Sequence, residues 1–440
     1  MGAKKNLVTP LLLATAGCGL CATAQAANGS LEERVGALEN RLEEAEGDQQ
    51  PWNKYVDEFG GRIMYDETFR SDSDDDLADA VAGPGNKLEE GSEFRRLRLY
   101  AEGSVAANIA YKVQLGLAGS TVDAKSVYIK AHDLGPWPDI KIGHFKEPIS
   151  LQELTSSKYI SLMSRTMLTD FFSNGRSAGI QLSDSYLDER LNISVGAFKA
   201  DFDGSDKETN DPDKGQSYNI TGRITSPVFY ANDGRQVLHL GVGARQSTSN
   251  NGDSLGIGLE PEVHKTNDFV AGTLNSVDDS QTVVAEVAGV AGPVHGQAEW
   301  AQMDVDTNSG SDPDDLTSSY VQAGWLITGE TRPYDKGDGD FGRIKPANPL
   351  TGWGRGTGAW EVVARFSTLD LSGAADPSTN FTPGLTSASR EEAVGETDVT
   401  TLGLNWYPTA HSKWMLNYVD ADQDKLGDAQ YVTSRFQVDF

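Results

Sequence analysis

Nine basic side chains fall on one face of short alternating segments: Arg96, Arg98, Lys112, Lys130, Lys141, Arg223, Arg245, Arg365 and Arg435. Five acids share that face, namely Glu102, Glu286, Glu299, Glu361 and Asp439. Ammonium and guanidinium groups are charge-assisted donors, and the guanidinium fork matches a carboxylate or phosphate with two parallel bonds. Other chemistry is thinly represented. GWGRGTG, from Gly352 to Gly358, lacks the Lys-Ser/Thr ending of a phosphate cradle and precedes a strand, so it reads as a flexible loop. DADQDKLG, from Asp420 to Gly427, lacks the turn glycine and closing glutamate of a calcium loop. The histidines at 132, 144, 239, 264, 295 and 411 have no metal-ligand spacing. There is no nucleophile elbow. No metal, no cofactor and no enzymatic activity are expected.

The elements that carry these residues have period two. In FRRLRLYAEG, Leu97, Leu99 and Ala101 oppose Arg96, Arg98, Tyr100 and Glu102. In VLHLGVGAR, Leu238, Leu240, Val242 and Ala244 oppose His239 and Arg245. AWEVVARFS opposes Trp360, Val362, Ala364 and Phe366 to Glu361 and Arg365. The chain ends on VTSRFQVDF, with Val432, Phe436, Val438 and Phe440 on one face and Thr433, Arg435, Gln437 and Asp439 on the other. A soluble sandwich produces the same alternation. Three features favour a membrane barrel. The polar face holds Arg, Lys and Gly. Trp300, Trp406, Tyr407, Trp414 and Tyr418 sit where an aromatic girdle belongs. The last strand ends on Phe440, placed to close against the first. Only 38% of the 440 residues are hydrophobic, low for a packed chain of that length and natural for a barrel with a wet lumen.

The net charge of -28 argues against nucleic acid as a partner. Residues 1–26 read as a secretory signal: Lys4 and Lys5, an apolar run from Leu7 to Ala24, and Ala24-Gln25-Ala26 as the cleavage site. Both cysteines, Cys18 and Cys21, lie within it, so the mature chain has no disulfide. No later run reaches the ~20 apolar residues of a membrane helix, so membrane insertion requires a barrel. Residues 27–50 hold a short heptad helix, with Leu31, Val35, Leu38, Leu42 and Ala45 in register, followed by a linker. The barrel is expected over 51–440. The acidic, Gly- and Ser-rich segments at 71–91, 201–216, 306–316, 331–342 and 389–398 read as exposed loops.

One connection is long. Between strands at Ile140 and Asp184 about thirty residues intervene, and they carry Lys146, Lys158, Arg165 and Arg176. Such insertions are usually functional. GHFKEPISLQELTSSKYISLMSR and then GRSAGIQL, with FRRLRLYAEG, AGWLITGETRPY, GAWEVVARFSTLDL and LGLNWYPT, resemble the phosphate-selective porin O and P family from about Phe94 to the C-terminus. The resemblance implies an all-β fold: a 16-stranded antiparallel transmembrane β-barrel in the outer membrane of a Gram-negative bacterium. It implies a homotrimer in contact with outer-membrane lipid; the heptad spacing ahead of the barrel is read separately as a short periplasmic coiled-coil helix. It also implies passive passage of small anions such as phosphate through an eyelet lined by basic side chains. Arg96, Arg98, Lys112, Lys146, Lys158, Arg165 and Arg176 are the pore-lining candidates. Lys146 beside Glu147 also suits a local ion pair, and Arg176 also suits a brace on the loop. With 65 acids against 37 Lys and Arg, a general or cation-leaning porin and a soluble exported β-sheet binding protein remain the alternatives.

Overall fold

A computed structural model describes residues 55–199, 217–308, 311–352 and 354–440. The signal, the heptad helix and the acidic segment 201–216 lie outside the described residues.

Sixteen strands close into one antiparallel ring. They are β1 (Glu58–Ser73), β2 (Gly91–Ala106), β3 (Ile109–Gly116), β4 (Asp123–Ala131), β5 (Asp139–Lys146), β6 (Arg176–Tyr186), β7 (Leu191–Lys199) and β8 (Tyr218–Ala231). Then follow β9 (Gln236–Leu259), β10 (Val270–Ala291), β11 (Val294–Thr307), β12 (Leu316–Leu326), β13 (Ala359–Asp370), β14 (Thr397–Thr409), β15 (Ser412–Gln423) and β16 (Gly427–Asp439). A three-residue strand, Phe381–Pro383, is added beside β10. Closure is made by β1 against β16, from Arg62 opposite Asp439 to Thr68 opposite Thr433. Gly61 N donates to the Phe440 carbonyl at 2.9 Å and Phe440 N donates back at 3.1 Å, so the terminal residue is tied into the sheet.

The alternation sorts as the residue types dictate. Phe436, Val438, Val242, Val321 and Phe366 are exposed on the outer face, while Arg435, Asp439, Arg245, Gln322 and Glu361 are buried within. Trp360 stacks on Trp406 with ring centroids 5.8 Å apart, and Trp414 leans on Phe436, forming the girdle at one rim. Tyr407 does not join it: it points inward and donates to Glu361 Oε2 at 2.6 Å. The connections at that rim are mostly tight (107–108, 292–293, 410–411), which in such barrels marks the periplasmic end. One is not, the segment 327–358 between β12 and β13.

The interior departs from a uniformly wet lumen. Segment 147–175 folds inward and carries two short helices, α2 (Leu151–Leu154) and α3 (Met167–Phe172). Ser150 and Thr166 cap them, accepting from Glu153 N and Thr169 N. Met167, Leu168 and Phe172 of α3 pack with helix α1 (Asp75–Ala82), with Leu259 and Phe269 of the β9–β10 connection, and with Leu371 and Val394 beyond β13. Their floor is apolar and inward-facing: Val284, Met303, Leu316, Leu369, Val399 and Val419. Four acidic segments expected to be exposed loops therefore contribute buried residues: 71–91 through Leu77 and Val81, 306–316 through Leu316, 331–342 through Arg332 and Phe341, and 389–398 through Ala393 and Val394. Their acids stay at the water while single apolar residues turn in. Large aromatic cores of this kind lose ~3–5 kcal/mol on truncation. Phe172→Ala is expected to lower unfolding stability in micelles by about that amount while leaving the barrel's strand content unchanged by circular dichroism. A loss under ~1 kcal/mol would show that α3 is not held by its apolar face.

Candidate functional site

The site is the space that the inward segment leaves open. Segment 147–175 is fastened at both sides of the barrel. At α2, Leu151 N donates to Glu286 Oε2 at 2.7 Å and Glu299 Oε1 at 2.9 Å, and Gln152 N donates to Glu299 Oε2 at 3.0 Å. Further on, the backbone carbonyls of Ile160, Met163 and Ser164 accept from Lys413 (2.7 Å), Arg435 (2.7 Å) and Arg365 (3.0 Å). Ser161 Oγ donates to Glu361 at 2.8 Å, and Arg62 Nη1 donates to Ser157 Oγ at 2.7 Å. Arg435 also pairs with Asp66, and Arg365 with Glu262. Several basic residues on the inner face are thus committed to holding the segment.

Two of the candidates hold it as well. Lys146 Nζ lies 3.4 Å from the Glu153 carboxylate and donates to the Leu154 carbonyl at 3.3 Å. Arg165 donates to the carbonyls of Gln152 (3.0 Å), Glu153 (3.1 Å) and Thr155 (2.9 Å), and its Nε lies 3.2 Å from Glu153 Oε2. Glu147 is not Lys146's partner; it accepts from Ser177, Asn219 and Thr221. Burial alone would raise the Glu153 carboxyl, but Arg165 and then Lys146 outweigh it and hold it at about 2. A depressed carboxyl contributes stability above its unfolded pKa of ~4.3 and loses it only as pH falls through the folded value. The clamp is therefore expected to hold to about pH 3, with open-channel noise in planar bilayers rising only below that. A rise in noise already between pH 5 and 4 would contradict this assignment.

The remaining candidates are placed differently. Lys112 pairs with Glu102 and lies over the Tyr100 ring at 4.7 Å. Among the described residues the Lys158 ammonium makes no ion pair, and it rests over Tyr100 and Tyr159 at 5.7 and 5.4 Å. Arg176 Nε donates to Ser126 Oγ at 3.0 Å, its terminal nitrogens have no hydrogen-bond partner among the described residues, and Glu153 is the acid that acts on it. Arg96 and Arg98 make no hydrogen bond or ion pair among the described residues, and Arg96 Nε is buried without a partner. Arg95, Arg98, Arg165 and Arg435 press on Arg96 with like charge, and Glu153 and Asp170 of the inserted segment are acids that interact with it. Those acting on Arg98 are Arg176, Arg62, Arg165 and Arg95. So the structure brings Arg96, Arg98 and Arg176 together, with Arg165 at their edge.

Two neighbours escaped the sequence reading. Arg62 faces Arg98 across the β1–β2 pair, in a stretch too glycine-rich to show its alternation. Arg95 sits at a register shift: Met64 pairs with Arg96 while Tyr65 pairs with Phe94. That bulge places two consecutive arginines on the lumen side, where strict parity allows one. Arg95 lies near Glu93, Asp170 and Asp66. The adjacency of two arginines was the only signal.

The long periplasmic connection also enters the lumen. Tyr334–Asp335 pairs with Asp340–Phe341 as a small ribbon. Arg332, 1% exposed, stacks on Phe341 at 3.9 Å and donates to Gln297 Oε1 at 3.2 Å. Arg223 Nη2 donates to the Gly339 carbonyl at 2.9 Å and its Nε to Glu286 Oε1 at 2.9 Å. Glu286 therefore joins the ribbon's anchor to the inserted segment. Among the described residues no group of three or more His, Cys, Asp or Glu side chains is arranged for a metal.

A closed barrel whose polar inner face carries two inward segments and a group of arginines without bonded partners among the described residues is an arrangement suited to a channel. Comparison with known proteins agrees. Porin O of Pseudomonas aeruginosa is 24% identical over 401 residues, covering 84% of this chain and 83% of that one. An uncharacterized protein of Caulobacter vibrioides is 29% identical over 365 residues, covering 80% and 69%. The high-pH structure of OprB from Pseudomonas putida shares the fold with a TM-score of 0.52 at 10% identity, over 92% of this chain and 97% of that one. The phosphate-selective porin O and P family model matches residues 68–440, from within β1 to the last residue, so the chain belongs to that family and is a porin of the Gram-negative outer membrane.

Proposed function

We propose that this porin passes small anions by passive diffusion, with inorganic phosphate as the preferred class. The supporting observation is the group Arg95, Arg96, Arg98 and Arg176, in which like charges crowd Arg96 ahead of the acids Glu153 and Asp170, and its buried Nε has no hydrogen-bond partner among the described residues. Burying charge without a counter-ion is unfavourable, and an oxyanion entering the group relieves both repulsion and unmet hydrogen bonding. Phosphate added to a chloride-conducting channel in a planar bilayer is expected to reduce the chloride current saturably. A current that phosphate leaves untouched would contradict the phosphate preference.

A second reading, a cation-leaning pore, is favoured by the acids at the outer mouth, where Asp304, Asp306, Asp312, Asp314 and Asp315 gather and raise local cation concentration. The arginines of β2 lie inside the barrel beside the inserted segment and outrank a solvated rim, whose field is screened within ~8 Å.

The active unit in this reading is a homotrimer. Strands β3, β4 and β5 have 8, 9 and 8 residues, against 24 and 22 in β9 and β10. A tilted strand needs about 9–11 residues to cross the hydrocarbon. The low wall, with Ile129 and Ile142 exposed on its outer face, is thus better suited to a neighbouring subunit than to lipid. Heating before gel electrophoresis tests this: a trimer gives a mobility shift, and an unchanged band opposes it. Residues 1–26 serve as export signal and 27–50 as a trimer-supporting helix on the same reading.

A further inference from the structure

An anion that leaves the arginine group toward the periplasm meets the ribbon of segment 327–358. The ribbon is held by its backbone. Arg223 donates to the carbonyls of Asp338 (3.3 Å) and Gly339 (2.9 Å), and Asn192 donates to the Lys336 carbonyl at 2.6 Å. Gly337 N and Asp338 N donate to Asp335 Oδ1 at 2.9 and 3.2 Å, which sets the turn. These bonds fix the ribbon and leave the Asp338 and Asp340 carboxylates with no hydrogen bond or ion pair among the described residues. Asp338 is exposed to the lumen and Asp340 partly so.

Opposite them stands a basic stretch of β4 and β5. Burial and the like charge of Asp335 raise the Asp338 carboxyl, against Lys141, Lys130 and Arg223, which favour its charge; burial and Asp338 push Asp340 up to about 7, against Arg223 and Lys146. Lys130 already pairs with Asp139 at 2.7 Å. Lys141 has no ion pair among the described residues; its ammonium rests over Tyr128 and Phe145 at 5.2 and 5.1 Å. Desolvated by rings and lacking a carboxylate in contact, Lys141 would make a second strong anion site below the first. A channel conducts only where binding is strong enough to admit the ion and weak enough to release it.

We infer that Asp338 and Asp340 are specificity-determining residues that act as the release element of the pore: they offset the charge of Lys141 and its neighbours so that an oxyanion passes to the periplasm without being trapped there. The inference rests on the anion-conducting reading above. It assigns the charge-bearing acids of the ribbon a role in conduction, whereas Arg332, Tyr334 and Phe341 anchor it.

The test is the double substitution Asp338→Asn with Asp340→Asn, which preserves shape and the backbone anchors. In planar bilayers, the half-blocking phosphate concentration on chloride current is expected to fall about tenfold, and the anion-over-cation permeability ratio to rise severalfold. Asp338→Glu should keep both near the wild-type values, and Asp133→Asn, on a periplasmic turn outside the lumen, should change neither. An unaltered half-blocking concentration in a double variant of normal unitary conductance overturns the inference, even if the permeability ratio moves. If the wild-type channel itself prefers cations, the anion reading fails; a double variant that binds phosphate more tightly still upholds the release role.

Discussion

Replacing Arg96 and Arg98 together by glutamine is expected to lower the anion-over-cation permeability ratio by about tenfold or more, with no loss of barrel stability. The two halves of that expectation have one cause. Neither guanidinium has a bonded partner among the described residues, and the charges that act on them most strongly are other arginines, ahead of Glu153 and Asp170 at Arg96. Removing them takes away the attraction an anion experiences and also relieves like-charge repulsion. Residues that brace the inserted segment behave oppositely. Arg165→Gln removes three carbonyl contacts and the partner of Glu153, so it should destabilise the segment and raise current noise. Reversal potentials under a salt gradient, paired with unfolding in micelles, separate the two classes. Equal selectivity in the Arg96/Arg98 double variant and the wild type would place the selectivity elsewhere.

The second large effect is at Glu286. Its carboxylate is 4% exposed and accepts from Leu151 N, Arg223 and His239. Glu286→Ala leaves the Arg223 guanidinium buried without its counter-ion, a change that costs about 3–5 kcal/mol when one partner of a buried pair is lost. Because the same carboxylate touches α2 and the ribbon's anchor, both inward segments should loosen at once. The expected result is a larger, noisier conductance with weaker ion discrimination, together with a lowered unfolding free energy. Gly241→Ala should act in the same direction, since a Cβ there would lie 2.1 Å from Glu286 Oε1. If Glu286→Ala lost less than ~1 kcal/mol and retained the unitary conductance, the shared-latch assignment would be wrong.

Period two made the wall readable. Arg223, Arg245, Arg365 and Arg435 are inward, as are Glu286, Glu299, Glu361 and Asp439, because one apolar and one polar face cannot be exchanged without exposing charge to lipid. Arg95 was lost at the β2 bulge, since one extra residue shifts the face without altering composition. Helix α1 was hidden in a run of acids, where Leu77, Ala78, Ala80 and Val81 are enough to bury one side of two turns. The ribbon was hidden for a related reason: its Asp and Gly residues are those of an exposed turn, while Arg332, Tyr334 and Phe341 are buried inside. The function of Lys146 and Arg165 was beyond reach of the pattern. Whether a lysine or arginine greets an anion or ties down a carbonyl depends on loop geometry, which spacing along the chain does not encode.

The central claim is that unpaired arginines on β2, and not the acids of the outer mouth, decide which ions pass. The direct measurement is the reversal potential of the purified wild-type channel in a planar bilayer under a tenfold potassium chloride gradient. Chloride preference is predicted, with a potential approaching the ~59 mV limit for a monovalent ion in the anion direction. A potential of the opposite sign, carried by potassium, would contradict the account.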